Sequence, residues 1–295
     1  MGLFDKIRGM FASPGRGVAV LAAWLGVNES ELRGVSVEYV EFTIPKRDGS
    51  PRRIAAPRPT LKAFQRRVFR RLLRKLPVHE SVIGFERGLS FVDHARAHAG
   101  RPVIVHVDIR DFFGSTKEKR VSEYLRGIGW SRDAAALLCR VCCRDGGLPQ
   151  GAPTSPRLAN LVNGEMDRRL AGAAAAFGAL YTRYADDLTF SFDKDVPTHI
   201  RTLLCMIDFI LEENGYRPNR KKGPRVLRVH QRQIVTGLVI NGGEPRLPRA
   251  TRRWLRAVEH RSAGKSSSRK APTLTQDQLK GWRALVQMIA RAKKR

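Results

Sequence analysis

Acidic residues are scarce in this sequence, and they are scarcest where basic residues are most frequent. The 295 residues include 55 Lys and Arg but only 27 Asp and Glu, which gives a formal net charge of +28. Residues 217–295 hold 22 Lys and Arg against 3 Asp and Glu, so +19 of that charge lies there. A solvated helix face normally mixes both signs. The imbalance therefore predicts a polyanionic partner, with nucleic acid as the first candidate.

Long apolar runs are also missing. The longest, VAVLAAWLGV at residues 18–27, is about half the length that a bilayer span needs, so it predicts a packed helix. Asp5 and Lys6 precede a weak apolar run that no convincing small-residue cleavage site follows, which disfavours a secretory signal. We expect a cytoplasmic protein that has no membrane partner.

Cysteine is rare and unevenly placed. Cys139, Cys142 and Cys143 lie close together, whereas Cys205 is remote in the sequence. A zinc site would need a fourth ligand from elsewhere in the fold. Reduced, buried thiols on a helix are the favoured interpretation.

Hydrophobic patterning divides the rest of the chain into short elements. Small helices are predicted up to about residue 34, two strands around a turn at Asp48 and Gly49, and an amphipathic basic helix over 60–76. Further helices are predicted at 118–130, 131–143, 157–177, 199–215, 249–260 and 278–292. Single strands are predicted at 101–109 and 232–241, and a flexible basic loop at 261–273.

The stretch LYTRYADDLTFSF, residues 180–192, reads as a β-hairpin with two aspartates at its turn. Leu188, Phe190 and Phe192 alternate with polar residues, the period-two pattern of a strand with one buried face. Asp186 and Asp187 would then lie at the tip. An ordinary Asp-rich turn is the alternative, because turns favour aspartate.

A third aspartate gives these two a chemical meaning. Asp108 ends the predicted strand PVIVHVD, and pairing of that strand with the hairpin would bring three carboxylates to one sheet edge. Such a cluster repels itself unless cations hold it together, and hard oxygen ligands suit Mg²⁺ or Mn²⁺. Two such ions can support an in-line phosphoryl displacement. The pattern therefore predicts nucleotidyl transfer.

Three sequence boxes carry a family resemblance. HVDIRDFF, LPQGAPTSP and YADD, at residues 106–113, 148–156 and 184–187, resemble the palm motifs of reverse transcriptases in order and spacing. The similarity extends from about Leu21 to the C-terminus. It implies an α+β right-hand polymerase with fingers, a palm of antiparallel sheet packed on helices, and a short, helical, basic thumb. The implied regions are 1–34, an N-terminal helical segment, 35–240, fingers and palm, and 241–295, thumb and RNA recognition.

The resemblance also implies roles for single residues. Asp108, Asp186 and Asp187 would be the catalytic ligands of two Mg²⁺ ions, with Mn²⁺ as the other candidate metal, and dNTPs would be the substrates. The implied nucleotide-binding residues are Lys46, Arg52, Asp111, Phe113, Gln150, Gly151 and Lys222. The Phe113 ring would exclude a ribose 2′-OH, unless it is a core phenylalanine. Lys221 is the alternative to Lys222, and solvated hairpin charge is the alternative role for Lys46 and Arg52.

Two further stretches resemble the retron branch of the family. RQIVTGLVIN contains the Val-Thr-Gly of retron reverse transcriptases at residues 235–237. HARAH, residues 94–98, is similar to their Asn-Ala-x-x-His box, with His94 in place of the asparagine. Metal binding by His94 and His98 would need a third ligand, so hydrogen bonding is favoured. The implied RNA-binding residues are His98, Val235, Thr236, Gly237, Arg252, Arg253 and Arg256.

The retron resemblance names partners as well. It implies a structured non-coding RNA that serves as template and primer, its cDNA in a branched RNA–DNA hybrid called msDNA, and an effector protein in anti-phage defence. Trp254 and Trp282 could stack unpaired RNA bases, although helix packing is the favoured role. Two alternatives stay open: another bacterial reverse transcriptase, such as a group II intron-like enzyme, or a catalytically idle RNA-binding protein on the same fold.

Overall fold

The structure is a computed structural model that describes residues 16–46, 49–221, 223–262 and 274–292. The chain divides into two compact units. Unit 1 consists of residues 1–80, 109–169 and 207–218, and unit 2 of residues 81–108, 170–206 and 219–295. Neither unit is continuous in sequence, and the three contiguous regions expected above remain a prediction.

Helices and strands alternate irregularly along the chain. The helices are α1 (Val18–Leu25), α2 (Glu29–Arg33), α3 (Pro59–Arg71), α4 (Phe91–Ala97), α5 (Phe112–Ser115), α6 (Glu118–Gly127), α7 (Arg132–Cys142), α8 (Ser155–Val162), α9 (Gly164–Ala176), α10 (Pro197–Glu213), α11 (Arg249–Ser262) and α12 (Gln276–Ala292). The strands are β1 (Tyr39–Pro45), β2 (Pro51–Pro57), β3 (Val103–Asp108), β4 (Ala179–Tyr184), β5 (Asp187–Phe192), β6 (Arg225–Arg228), β7 (Ile234–Val235) and β8 (Leu238–Val239).

Unit 1 combines the β1–β2 hairpin with a helical core. The hairpin is antiparallel, and Gly49 in its turn has a φ of +80°, a conformation that favours glycine. The predicted turn residue Asp48 lies outside the described residues. Helix α3 begins at Pro59, where the missing N–H is harmless. It buries Leu61, Phe64 and Val68, so the predicted amphipathic helix is confirmed.

Unit 2 is built around a four-stranded sheet in the order β4-β5-β3-β6. Strand β3 pairs antiparallel with both β5 and β6, which confirms that the strand ending in Asp108 lies beside the hairpin. Helix α4 starts with a capping box between Ser90 and Asp93. Its buried residues pack in one cluster with residues of β3, β7, β8 and α12.

Two sequence predictions of single elements were wrong. The helix predicted over 157–177 is two helices, α8 and α9, separated at Asn163, whose side chain donates to the Ala159 carbonyl and the Tyr216 hydroxyl. The strand predicted over 232–241 is the hairpin β7–β8, because Thr236 and Gly237 both adopt positive φ, +45° and +86°. A two-residue turn of that kind reverses the chain. Most of the predicted basic loop, residues 263–273, lies outside the described residues.

The remaining bulk expectations have simple structural outcomes. No helix in the described ranges is long and apolar enough to cross a membrane. Cys139, Cys142 and Cys143 are buried and free, and burial raises the pKa of the Cys142 thiol to about 12. The Cys142 thiol therefore stays protonated at neutral pH, as expected for a structural cysteine.

Candidate active site

Strand register brings two of the three predicted carboxylates together. In the β3–β5 ladder, Asp108 is the direct partner of Asp187. Directly paired residues have Cβ atoms about 4.5 to 5.5 Å apart, so two like charges face each other across the strands. Asp186 lies in the two-residue turn between β4 and β5, beside Ala185, whose φ is +57°. All three aspartates are half-buried.

Asn219 holds Asp108 from a distant part of the sequence. Its Nδ2 donates to Oδ1 of Asp108 over 2.8 Å, and its backbone N–H donates to the Asp108 carbonyl oxygen over 2.7 Å. The double contact fixes both the backbone and the carboxylate of Asp108. Oδ2 of Asp108 takes no part in the two hydrogen bonds with Asn219.

His106 plays the corresponding part for Asp187. Nδ1 of the buried His106 lies 3.3 Å from Oδ1 of Asp187 and 3.2 Å from Oγ1 of Thr189. Burial raises the pKa of the Asp187 carboxyl. The hydrogen bond from His106 and the charges of His106, His94 and Arg225 outweigh burial, so the pKa lies below its ordinary value. Asp187 is therefore a carboxylate at neutral pH.

The donor set suits a hard cation. Facing carboxylates repel each other, and an ion between them would remove that repulsion. The described residues nevertheless contain no group of three or more His, Cys, Asp or Glu side chains arranged to hold a metal. Asp108 and Asp187 are thus adjacent, and Asp186 lies on the neighbouring turn. The three carboxylates do not form a complete set of metal ligands in the described residues.

A segment that the sequence did not single out, residues 81–85, braces the aspartate turn. Arg183 N–H donates to the Ser81 carbonyl over 2.8 Å, and the N–H groups of Ile83 and Gly84 donate to the Arg183 carbonyl over 2.9 and 3.3 Å. A Cβ on Gly84 would lie 2.7 Å from the backbone nitrogen of Ala185. Only glycine allows this approach. We call residues 81–85 the brace.

Phe85 completes the brace in an unusual conformation. Its φ of +65° is rare for a bulky residue, and its side chain is 48% exposed. Its ring centroid lies 5.9 Å from that of Tyr184, the first residue of YADD. The brace therefore contacts the turn through both backbone and ring.

The two histidines of the HARAH stretch are buried and have different partners. His98 contacts Ser191 Oγ through Nδ1 and Thr182 Oγ1 through Nε2, both at 2.7 Å. His94 stacks on Tyr184 with ring centroids 5.8 Å apart, and neither of its nitrogens makes a hydrogen bond within the described residues. Burial lowers the pKa of His94 to about 4, although the charge of Asp187 opposes the shift.

All the nucleotide-binding candidates except Lys222 belong to unit 1. The backbone N–H of Ala55 in β2 donates to the Gln150 carbonyl over 2.9 Å, which joins the LPQG loop to the hairpin that carries Lys46 and Arg52. Gly151 has a φ of +129°, and a Cβ there would lie 2.8 Å from the Ala55 oxygen. Glycine is therefore required by the approach of this strand. Lys222 lies outside the described residues.

The paired phenylalanines after Asp108 separate into a core residue and a more open one. Phe112 is 4% exposed and stacks on Tyr216, whereas Phe113 is half-buried. Asp111 is exposed, adopts a φ of +45°, and lines a pocket of about 230 Å³ together with Arg110, Ser115, Gly215 and Arg217. The role of Phe113 at the sugar remains a prediction.

The residues expected to bind RNA fall into two groups. Arg252, Arg253 and Arg256 are exposed on α11. His98 and Val235 have no exposed surface, so the structure places these two side chains in the core rather than on an RNA-binding surface. Thr236 Oγ1 donates to the Phe91 carbonyl at the start of α4 over 2.7 Å. Ala95 of HARAH and Val235 of VTG belong to the same buried cluster, so the two stretches pack against each other.

The two tryptophans of the basic region also pack together. Trp254 and Trp282 make an edge contact with ring centroids 5.3 Å apart and join a cluster formed by α11 and α12. Both rings are half-buried. The packing role that the sequence favoured is the one observed.

Sequence reasoning missed Asn219, His106, Gly84 and Phe85. A signal existed for His106, which is two residues before Asp108 and therefore on the same face of β3. Asn219 and Gly84 had no such signal, because their contacts join segments far apart in the chain.

Facing carboxylates at the ends of two paired antiparallel strands, next to a tight aspartate turn, are the arrangement expected in the palm of a nucleic acid polymerase. The family described as reverse transcriptase (RNA-dependent DNA polymerase) matches residues 44–236. The chain belongs to this family, which confirms the expected α+β polymerase fold.

Similar proteins point to one branch of the family. Retron Mx162 reverse transcriptase of Myxococcus xanthus is 38% identical, over 93% of this chain and 64% of that protein. Retron Mx65 reverse transcriptase of the same organism is 39% identical, over 82% of this chain and 62% of that protein. Retron Ec86 reverse transcriptase of Escherichia coli is 36% identical, over 78% and 72%. The chain thus spans slightly less than two thirds of the length of the first two relatives.

Proposed function

We propose that this chain is a retron reverse transcriptase, which copies a dedicated structured non-coding RNA into single-stranded DNA. The observation that carries the proposal is the β3–β5 register, in which Asp108 faces Asp187 while Asp186 occupies the adjoining turn. The product would be a branched RNA–DNA hybrid, msDNA.

Asp108, Asp186 and Asp187 would hold two Mg²⁺ or Mn²⁺ ions. Such ions, when bound, activate the attacking oxygen and stabilise the leaving oxygen in nucleotidyl transfer. The protein's contribution is to orient the carboxylates. Asn219 fixes Asp108, and His106 fixes Asp187. Contacts of this kind around metal ligands determine their orientation and basicity.

The family resemblance also supports a set of contacts to the incoming dNTP. Lys46 and Arg52 on the β1–β2 hairpin would bind the triphosphate, where the planar Arg fork suits phosphate oxygens. Gln150 and Gly151 would line the nucleotide pocket, and Phe113 would contact the sugar. Asp111 and, outside the described residues, Lys222 complete the proposed set.

Residues 241–295 would form the thumb and RNA-recognition region, after an N-terminal helical segment at 1–34 and fingers and palm at 35–240. Arg252, Arg253 and Arg256 would contact RNA phosphates from α11. The VTG segment would affect RNA recognition indirectly, because Val235 is buried and the Thr236 hydroxyl is hydrogen-bonded to the Phe91 carbonyl. Three similar proteins are retron enzymes, which supports this branch. An effector protein and a role in anti-phage defence belong to the same proposal.

The experiment is to purify the protein from its native locus and analyse the nucleic acid that it carries. We expect an RNA covalently joined to single-stranded DNA in the native protein, and the same RNA without DNA in an Asp186→Asn variant. DNA in the variant would contradict the metal-ligand role of Asp186. RNA without DNA in both proteins would identify an idle RNA-binding protein. An active native enzyme without any joined RNA–DNA product would indicate another reverse transcriptase lineage.

A further inference from the structure

Helix α3 carries a row of basic residues to which the proposed function assigns no role. Lys62, Arg66 and Arg70 follow one another at intervals of four residues, and all three side chains are exposed. Within the described part of the chain, none of them makes an ion pair or a side-chain hydrogen bond. The helix sequence PTLKAFQRRVFRR contains no acidic residue at all. We call these three residues the cation row.

The other α3 arginines behave differently. Arg67 forms an ion pair with Glu31 at 3.6 Å, and Arg71 Nη1 donates to the Trp24 carbonyl over 3.5 Å. These two cations are therefore used within unit 1. Like charges four residues apart on a helix repel each other, so the row lacks the local compensation that Arg67 and Arg71 have.

The apolar face of α3 argues against a membrane as the partner. Leu61, Phe64 and Val68 are buried in the core of unit 1. A helix that lies on a lipid surface needs an exposed apolar face to insert, in addition to its basic face. Helix α3 offers only charge, and a purely electrostatic surface fits a polyanion.

We infer that the cation row is a phosphate-binding surface for structured RNA, located in unit 1 and additional to the basic region 217–295. The row extends over about 12 Å along the helix, because each residue adds about 1.5 Å. Two of its three members are arginines, whose planar guanidinium groups can bind phosphate oxygens in pairs. Phosphate contacts would position the RNA without reading its sequence.

The test compares two triple variants with the same change in net charge. The row variant is Lys62→Gln, Arg66→Gln, Arg70→Gln. The control variant is Arg33→Gln, Lys119→Gln, Arg168→Gln, in which each replaced cation is an exposed residue of unit 1 paired with a glutamate on its own helix. Affinity for two fluorescent RNA hairpins of unrelated sequence is measured over a range of salt concentrations, together with thermal unfolding.

We expect the row variant to bind both hairpins more weakly by the same factor. The slope of log affinity against log salt should fall by about 2 to 3, roughly one for each phosphate that the variant no longer neutralises. The control variant should keep nearly the slope of the native protein, and both variants should unfold at the native temperature because all the changed residues are exposed. If the triple variant unfolds, the three single variants should each reduce the slope by about one.

Several results would overturn the inference. Equal decreases in affinity in both triple variants would show that net charge alone matters. A native slope in the row variant would remove the row from RNA binding. Weaker binding to phosphatidylserine vesicles with unchanged RNA affinity would assign the row to a membrane. The assay measures binding alone, so its outcome is independent of the catalytic proposal.

Discussion

The aspartates of the candidate active site and the arginines of the basic surfaces are supported in opposite ways. Asp108 and Asp187 are half-buried and held by Asn219 and His106. The three α11 arginines expected to bind RNA and the cation row are exposed and have no ion-pair partner within the described ranges. Carboxylates that hold metal must keep their atoms in place, whereas phosphate binding needs mainly charge. Single substitutions of the aspartates should therefore change DNA synthesis strongly. Single substitutions of the surface arginines should change RNA affinity by small, additive amounts.

The largest expected effect is loss of DNA synthesis in Asp186→Asn or Asp187→Asn. Either change removes a charged group that would bind metal, and we expect primer extension to fall on the order of 10³-fold or more. RNA affinity should stay near native, and thermal stability should change little, because relief of the repulsion between the carboxylates offsets lost contacts such as that of Asp187 with His106. Full primer extension by both variants would contradict the assignment.

Phe113→Ala tests the proposed sugar contact. Removal of the ring should raise ribonucleotide incorporation relative to deoxynucleotide incorporation by about 10- to 200-fold. Phe112→Ala is the matched control. Loss of the buried Phe112 ring should lower the free energy of unfolding by about 3 to 5 kcal/mol without changing sugar selection. An unchanged ratio in a folded Phe113→Ala protein would make Phe113 a packing residue.

Gly84→Ala asks whether the active-site edge depends on the brace. The new Cβ would lie 2.7 Å from the Ala185 nitrogen and would displace the turn that carries Asp186. We expect activity to fall about 10- to 100-fold and the Mg²⁺ concentration for half-maximal activity to rise. Gly88→Ala is the control, since Gly88 has a φ of +81° but no atom within 4 Å of its Cβ position. Native Mg²⁺ dependence in a folded Gly84→Ala protein would show that the brace does not position the aspartates.

His94→Asn tests the burial of an uncharged histidine under Tyr184. The unfolded chain binds a proton near the ordinary pKa of 6.5, whereas the folded protein binds it only near a pKa of about 4. Protonation of His94 on unfolding therefore lowers the free energy of unfolding at pH 5 by about 2 kcal/mol relative to neutral pH. We expect the melting temperature to fall less between pH 7 and pH 5 in the variant. The variant also removes the effect of His94 on the pKa of the neighbouring His98, so the difference reports on the buried pair. An equal fall in both proteins would remove His94 from this effect.

The smallest effect is expected at Thr236→Val, which keeps the side-chain volume but removes the hydrogen bond to Phe91. The free energy of unfolding should decrease by about 1 kcal/mol. Synthesis on the cognate RNA should fall more than extension of an annealed primer on a generic template. Thr43→Val, at an exposed position of β1, is the control. Equal reduction of both activities would assign the VTG segment to the polymerase in general.

Local sequence pattern was sufficient for much of the fold. The alternation in DLTFSF predicted β5, the β-branched run before Asp108 predicted β3, and both are found. It was insufficient at Asn163 and at Thr236–Gly237, where a helix breaks and a strand turns back. In both places a backbone conformation and a tertiary hydrogen bond override the hydrophobic period.

The sequence by itself determined the charge imbalance, the three boxes and the placement of Asp108, Asp186 and Asp187 at the ends of predicted strands, because each depends only on neighbouring residues. Tertiary structure alone decided which groups support those aspartates. Asn219 is 111 residues from Asp108, and Gly84 is about a hundred residues before the turn that it contacts. Such contacts arise only when distant segments pair, so no local period in the sequence encodes them.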